Sequence, residues 1–333
     1  MSIDDLIIRD LRAEDADDIV RIYESTGWKT TKESIIGWLN NVKYSKVLVA
    51  ALKDKVVGKS TVDVVFPPYA EIVNVVIDPN YQGRGIGRRL IEESIKLAIE
   101  KGHNIIYLMC DPTNIKIHKF FASLGFRPGI IGEPQNPRGS MWLYLFAEGS
   151  FIKEFQDKHP FAQLATSRDR VIFHGAALYS MKWLDPVNED SIEIFINGQP
   201  GQPLTGGIMP HISGISIKIE NTAMEAWVKK EPSTIAKEEP AYFTLYIRNK
   251  SPEAIDLKVT PITTEAVKVL GANERIITLH EDEETAIEYT VEVPENFDIP
   301  IEYLTFPTVT TSLQIKYEEY DLIISAGFNY VMS

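Results

Sequence analysis

The stretch from Glu71 to Gly87 constrains this chain most. It runs Glu71-Ile72-Val73-Asn74-Val75-Val76-Ile77, then Asp78-Pro79-Asn80-Tyr81, then Gln82-Gly83-Arg84-Gly85-Ile86-Gly87, and a helical pattern follows from Arg88 to Lys101. The β-branched run predicts a buried strand. Pro79 ends it, because proline has no N–H to give to a sheet. Three glycines in six residues then let backbone N–H groups converge at the positive end of the next helix, which suits phosphate or pyrophosphate. Two familiar phosphate loops do not fit. The dinucleotide fingerprint needs G-x-G-x-x-G and an acid about 20 residues on, whereas the glycines here are Gly83, Gly85 and Gly87 and residue 107 is Tyr107. The P-loop ends in Gly-Lys-Ser/Thr, and Gly87 is followed by Arg88.

The pattern Gln/Arg-x-x-Gly-x-Gly after a strand ending Val-x-Pro, here Ile77-Asp78-Pro79, resembles motif A of the GNAT acetyltransferase superfamily. The run from Asn114 to Phe120-Phe121-Ala122-Ser123-Leu124-Gly125-Phe126 resembles the last conserved block of the same family. The resemblance covers residues 5–147. It implies an α+β fold with a mixed central sheet flanked by helices, and acetyl-CoA as cosubstrate. It also implies that Gln82, Gly83, Arg84, Gly85, Ile86, Gly87 and Arg88 hold the pyrophosphate. Backbone groups of Val75, Val76 and Ile77 would meet the acetyl and pantetheine parts, with Asn114 and Phe121 beside that arm. The bland alternative is a glycine turn that only lets strand and helix pack.

Acetyl transfer to an amine needs a neutral amine, a polarised thioester and a proton for the departing thiolate. Glu71 resembles the glutamate base of the histone acetyltransferase branch, and burial beside the reacting groups would raise its pKa as a base near neutrality requires. The alternative is a solvated residue at the start of a strand. Two departures from the family stand out. Met109 occupies the position of a glutamate found in ribosomal-protein N-terminal acetyltransferases. Phe121 replaces the usual tyrosine acid, which leaves Tyr107, Tyr144 or water as donors, or a thiolate that departs unprotonated. His118 reads as a surface helix residue. Cys110, the one cysteine of the chain, lies in the apolar run from Ile105 and reads as a structural thiol, so direct attack without a covalent intermediate is expected. No metal is expected.

Length and composition bound the rest. The 333 residues allow two domains. Residues 1–150 hold 19 basic and 19 acidic side chains, so the formal charge of −13 falls on residues 151–333. That argues against nucleic acid as a ligand, since a phosphate backbone needs a basic footprint. It allows a cationic partner, a small molecule or a basic protein, or acid that serves only solubility. No apolar run reaches the ~20 residues of a membrane span. The start of the chain lacks signal-peptide features, and the lone cysteine fits a reducing compartment, so the expected location is cytoplasmic. Oligomerisation is left open.

The pattern along the chain predicts a strand over Leu6–Leu11, a helix carrying Ala16, Ile19, Val20 and Tyr23, and a second helix from Lys32 to Val42. A hairpin of Lys46–Leu52 with Val56–Val65 follows. The family resemblance implies an acceptor between the first two helices, near Trp28, and the Gly129 to Arg138 loop. Residues 1–150 are taken as the acetyltransferase domain and 151–190 as a connection, with Gly198 to Gly214 as a further loop. Residues 191–333 alternate in short strands and loosely resemble immunoglobulin-like β-sandwich modules. The function expected is transfer of acetyl from acetyl-CoA to a primary amine. The rival is a catalytically weak acetyl-CoA sensor or adaptor whose β-sandwich docks a partner.

Overall fold

The computed structural model describes residues 5–41, 43–64, 66–131, 141–199, 208–271, 273–295 and 308–331. The first half of the chain forms β1 (Leu6–Asp10), α1 (Ala16–Ser25), α2 (Lys32–Trp38), β2 (Ser45–Leu52), β3 (Lys55–Asp63), β4 (Tyr69–Ile77), α3 (Ile86–Glu100), β5 (Ile105–Cys110), α4 (Ile115–Ala122), β6 (Arg127–Ile131) and β7 (Met141–Phe146). Its seven strands make one sheet in the order β1-β2-β3-β4-β5-β7-β6. Only β4 and β5 run parallel. Val42, Val65 and residues 132–140, which include most of the expected acceptor loop, lie outside the described residues. Gly129 falls within a strand rather than a loop, and a Cβ there would come 2.3 Å from the Tyr144 ring. Glycine in a strand marks such close approach.

Helical spacing explains the layers. Ile86, Leu90, Ile91, Ser94 and Ala98 form the buried stripe of α3. Ala16, Ile19, Ile22 and Tyr23 do the same for α1. Thr31 caps α2 by accepting from Ser34 N–H at 3.2 Å. Helices α1 and α2 pack over Val47, Val49, Val56 and Val76 of the sheet. The opposite face meets α3 through Leu48, Ala50 and Val57. On that face Ile72, Ile106, Leu108 and Phe121 continue the core.

The second half begins with α5 (Phe151–Lys158) and continues as two β-sheets. One has nine strands: Gln163–Thr166, Val171–Phe173, Ala176–Leu184, Ser191–Gln199, Ile208–Ile219, Thr222–Glu231, Ala241–Asn249, Lys268–Leu270 and Glu284–Glu292. The other has five: Thr234–Ile235, Ile255–Ile262, Arg275–Leu279, Thr308–Tyr317 and Tyr320–Tyr330. Residues 151–190, expected as a connection, supply α5 and three strands of the larger sheet. The expected loop before Gly214 is strand from Ile208 on. Short apolar runs such as Ile208-Met209-Pro210 carry no period that separates strand from loop.

One hydrophobic core runs through both halves. Tyr69, Tyr107, Trp142, Tyr144 and Phe146 from the first sheet share it with Trp183, Ile212, Ile324 and Phe328. Phe146 and Trp183 meet edge to face with centroids 5.3 Å apart. The β-sheets of the second half thus cover the β5-β7 end of the face that α1 and α2 cover at the other end.

Candidate active site

The site starts from a defect in the central sheet. β4 pairs with β5 only through Tyr69–Ile105, Ala70–Ile106 and Glu71–Tyr107, although both strands continue. Beyond Glu71 they part. The cause lies on the other side of β4, where its register against β3 slips between Lys59–Val76 and Thr61–Val73. That gives β4 one extra residue. Asn74, in this bulge, has φ +52°. Asparagine tolerates the left-handed region better than a β-branched residue does, and a bulge bends its strand. The asparagine inside an otherwise apolar run was the sequence signal for it.

Past the bulge, Asp78 ends the strand. Its Oδ1 accepts from Asn80 N–H at 2.9 Å, and Arg21 reaches its other oxygen at 2.5 Å. Gln82 Nε2 donates to the Ile77 carbonyl at 3.1 Å. Gly83 and Gly85 then take φ of +74° and +80°, a region glycine enters without steric cost. Helix α3 starts at Ile86 with its N-terminal dipole on this loop. A Cβ on Gly87 would stand 3.7 Å from Ile77 and 3.8 Å from Phe120, so its absence widens the same space.

A cavity of about 1290 Å³ joins the loop to the parted strands. Of the residues expected to hold the cofactor, Val75, Ile77, Gln82, Gly83, Gly85, Ile86, Gly87, Arg88, Asn114 and Phe121 line it. Val76 and Arg84 are not among its lining residues. Val76 turns into the core beneath α1, as strand alternation requires. Arg84 folds back, donating to the Asn80 carbonyl at 3.0 Å and lying over the Tyr81 ring. Asn114 caps α4 by accepting from Ile117 N–H at 3.1 Å. Phe121 packs edge to face on Phe126.

Glu71 lies in the cavity wall, only 4% exposed. Its register partner is Asp63, and Asp63 pairs in turn with Ser45. Direct cross-strand partners share a face, so Ser45, Asp63, Glu71 and Tyr107 form one row across four strands. Ser45 Oγ donates to Asp63 Oδ1 at 2.6 Å. All but Tyr107 line the cavity. Burial pushes the Asp63 carboxyl up to about 6, against the pull of Ser45 and Lys59. Lys59 is fully buried; burial brings its ammonium down to about 7. Its Nζ donates to Thr61 Oγ1 at 2.8 Å and sits 4.3 Å from the Trp38 ring. Sequence reading missed Asp63 and Lys59. The signal available was two opposite charges four apart in one strand, with Ser60, Thr61 and Val62 between them.

Of the tyrosines suggested as proton donors, neither opens on the cavity, although Tyr107 hydrogen-bonds the Glu71 side chain. Tyr107 and Tyr144 are buried in the shared core, and neither lines the cavity. Burial first, and then the Glu71 carboxylate in the case of Tyr107, holds both hydroxyls well above the usual range. His118 is engaged elsewhere: its Nε2–H donates to the Asp111 carbonyl at 2.9 Å. Cys110 does line the cavity, but burial pushes its thiol up to about 11, which leaves little thiolate near neutrality.

The charges that line the cavity are sorted. Arg88 and Lys116 stand with the glycine loop and α4; Asp63 and Glu71 stand on β3 and β4. An elongated ligand with an anionic end fits the first pole, where N–H groups, a helix N-terminus and two cations meet. A family model for the GNAT acetyltransferases matches residues 12–126. Residues 12–126 are a GNAT acetyltransferase domain. Members of the family bind acetyl-CoA, and the residues at the loop pole suit its pyrophosphate.

The GNAT domain has relatives in several lineages. An uncharacterized N-acetyltransferase of Archaeoglobus fulgidus is 27% identical over 135 residues, which is 36% of this chain and 92% of that protein. The histone acetyltransferase TAP1 of Glycine max is 33% identical over 73 residues, 22% of this chain and 29% of that protein. Among solved structures, the ribosomal-protein-S18-alanine N-acetyltransferase of Escherichia coli is 18% identical, with a TM-score of 0.38, covering 44% of this chain and 96% of that one. By the family model over residues 12–126, that part of the chain is an acyltransferase domain of the GNAT type.

Proposed function

We propose that the protein transfers acetyl from acetyl-CoA to a primary amine by direct attack, with Glu71 as general base. The observation that carries this is the placing of Glu71, buried in the wall of the cavity that the glycine loop enters. Acetyl-CoA, the second substrate, supplies the activated acetyl group. The chain binds its pyrophosphate at Gly83, Gly85 and the start of α3, and Glu71 takes the proton that the amine gives up. The weakly acidic Cys110 thiol supports attack without an acyl-enzyme. We assign this chemistry to residues 1–150. The second half, which we read as an immunoglobulin-like sandwich, we take as support for that unit, in a reducing compartment. Relatives carry names that place histones and ribosomal-protein alanine among acceptors, and a basic protein or a small amine would suit the acidic pole here.

The test is release of free thiol from acetyl-CoA over background, with a panel of alkylamines, polyamines and basic peptides. Turnover with an amine is expected. Tight coenzyme binding with no release for any amine would favour the rival, an acetyl-CoA sensor or adaptor. Phe121 motivates that rival, because a phenyl ring in the cavity wall cannot protonate a leaving thiolate.

A further inference from the structure

We propose that Asp63 is a specificity-determining residue of the acceptor site, which takes the amine as its ammonium cation rather than as a neutral molecule. This rests on the acetyltransferase reading above and names its substrate class.

Three observations carry it. Asp63 and Glu71 are register partners on one face of β3 and β4 and line one cavity. The cavity's lining cations, Arg88 and Lys116, belong to the glycine-loop pole, so the acidic pole has no cation in its lining. And Asp63 keeps its charge for a ligand. Ser45 engages one carboxylate oxygen, and no ion pair within 4 Å involves Asp63 among the described residues. The nearest buried cation, Lys59, bonds Thr61 and rests on Trp38 instead. Its field still favours the ionised form of Asp63. Two neighbouring carboxylates of low solvation repel each other when both are ionised. A cation between them relieves that repulsion, whereas an alcohol or a neutral amine does not. The ammonium would then stand beside Glu71, which takes its proton, while Asp63 stays ionised near Lys59.

The experiment uses the full chain. Calorimetry in the presence of coenzyme A compares butylammonium with its near-isostere butanol. Wild type should bind the ammonium at least ~10-fold tighter, Asp63→Asn should abolish that preference, and Asp63→Glu should restore part of it. In steady state, Asp63→Asn should raise KM for butylamine by ~10–100-fold and KM for the weakly basic trifluoroethylamine by less than about threefold. Equal affinity of wild type for ammonium and alcohol, or an undiminished preference in Asp63→Asn, would overturn the inference. Absence of thiol release with every amine would instead sink the acetyl-transfer reading, and the calorimetric preference would still decide the role of Asp63. Circular dichroism spectra and urea midpoints matching wild type show that the variants fold.

Discussion

The Tyr69 hydroxyl meets the Ser325 hydroxyl at 2.8 Å, joining the first residue of the central strand β4 to the strand Tyr320–Tyr330. The same oxygen accepts from the Ile212 N–H at 3.0 Å, and Ser325 continues to Ser312 at 2.8 Å. All of these groups are buried. Tyr69 is two residues before Glu71, so the β-sheets of the second half hold the strand that carries the proposed base.

Tyr69→Phe should therefore destabilise the whole chain. It leaves the Ile212 N–H and one Ser325 contact without a partner inside the core, which costs roughly 1–3 kcal/mol for a buried group. A urea midpoint lowered accordingly, in one transition for both halves, is the expected result. A midpoint within error of wild type would mean that these hydroxyls have other partners.

Coenzyme binding should depend on the glycine loop. Gly85→Asp puts a Cβ at φ +80° and a carboxylate where an anion meets N–H groups. Calorimetry with coenzyme A should show near-complete loss of affinity while the circular dichroism spectrum is kept. Affinity within a few-fold of wild type would remove the loop from the coenzyme site.

Glu71→Gln keeps shape and removes basicity. General-base catalysis is typically worth ~10²–10⁴-fold, so kcat with an alkylamine should fall by about that factor, with little change in coenzyme affinity. The acidic limb of the kcat profile should move or vanish. A raised KM with an unchanged limb would leave Glu71 as a binding residue only.

Lys59 offers a test by pH. Burial lowers its pKa to about 7 from an ordinary 10.5. A depressed folded pKa means that the folded state binds fewer protons, so Lys59 favours folding at high pH and loses that advantage as pH falls from 10.5 through about 7. Lys59→Met removes the buried ammonium at similar volume and should stabilise by on the order of 1–4 kcal/mol below pH 7. The gain should shrink steadily towards pH 10.5. Urea unfolding at pH 6 and pH 9.5 measures it; an equal gain at both would show that Lys59 is not buried as a titrating group.

Much of the site was legible before the fold was known, because it is a local object. Pro79, Gly83, Gly85 and Gly87 act through the backbone conformation of neighbouring residues, and the helix that follows is set by its own 3.6-residue period. Those signals need no partner from elsewhere in the chain. The helix cap at Asn114 is of the same kind. Glu71 was legible only through its likeness to the glutamate base of the histone acetyltransferase branch.

The tertiary structure alone decided the rest. Asp63 meets Glu71 only through the register of β3 on β4, and Lys59 is covered by Tyr23 of α1 and Trp38 of α2. Tyr107 and Tyr144, open candidates in the sequence, are buried in a core completed by the sheets of the second half. Register and face coverage are set by contacts between distant segments, and no local period or motif encodes which distant face a strand will meet. The local pattern specifies a strand, a glycine loop and a helix; the packing of distant segments places the side chains that share the cavity beside them.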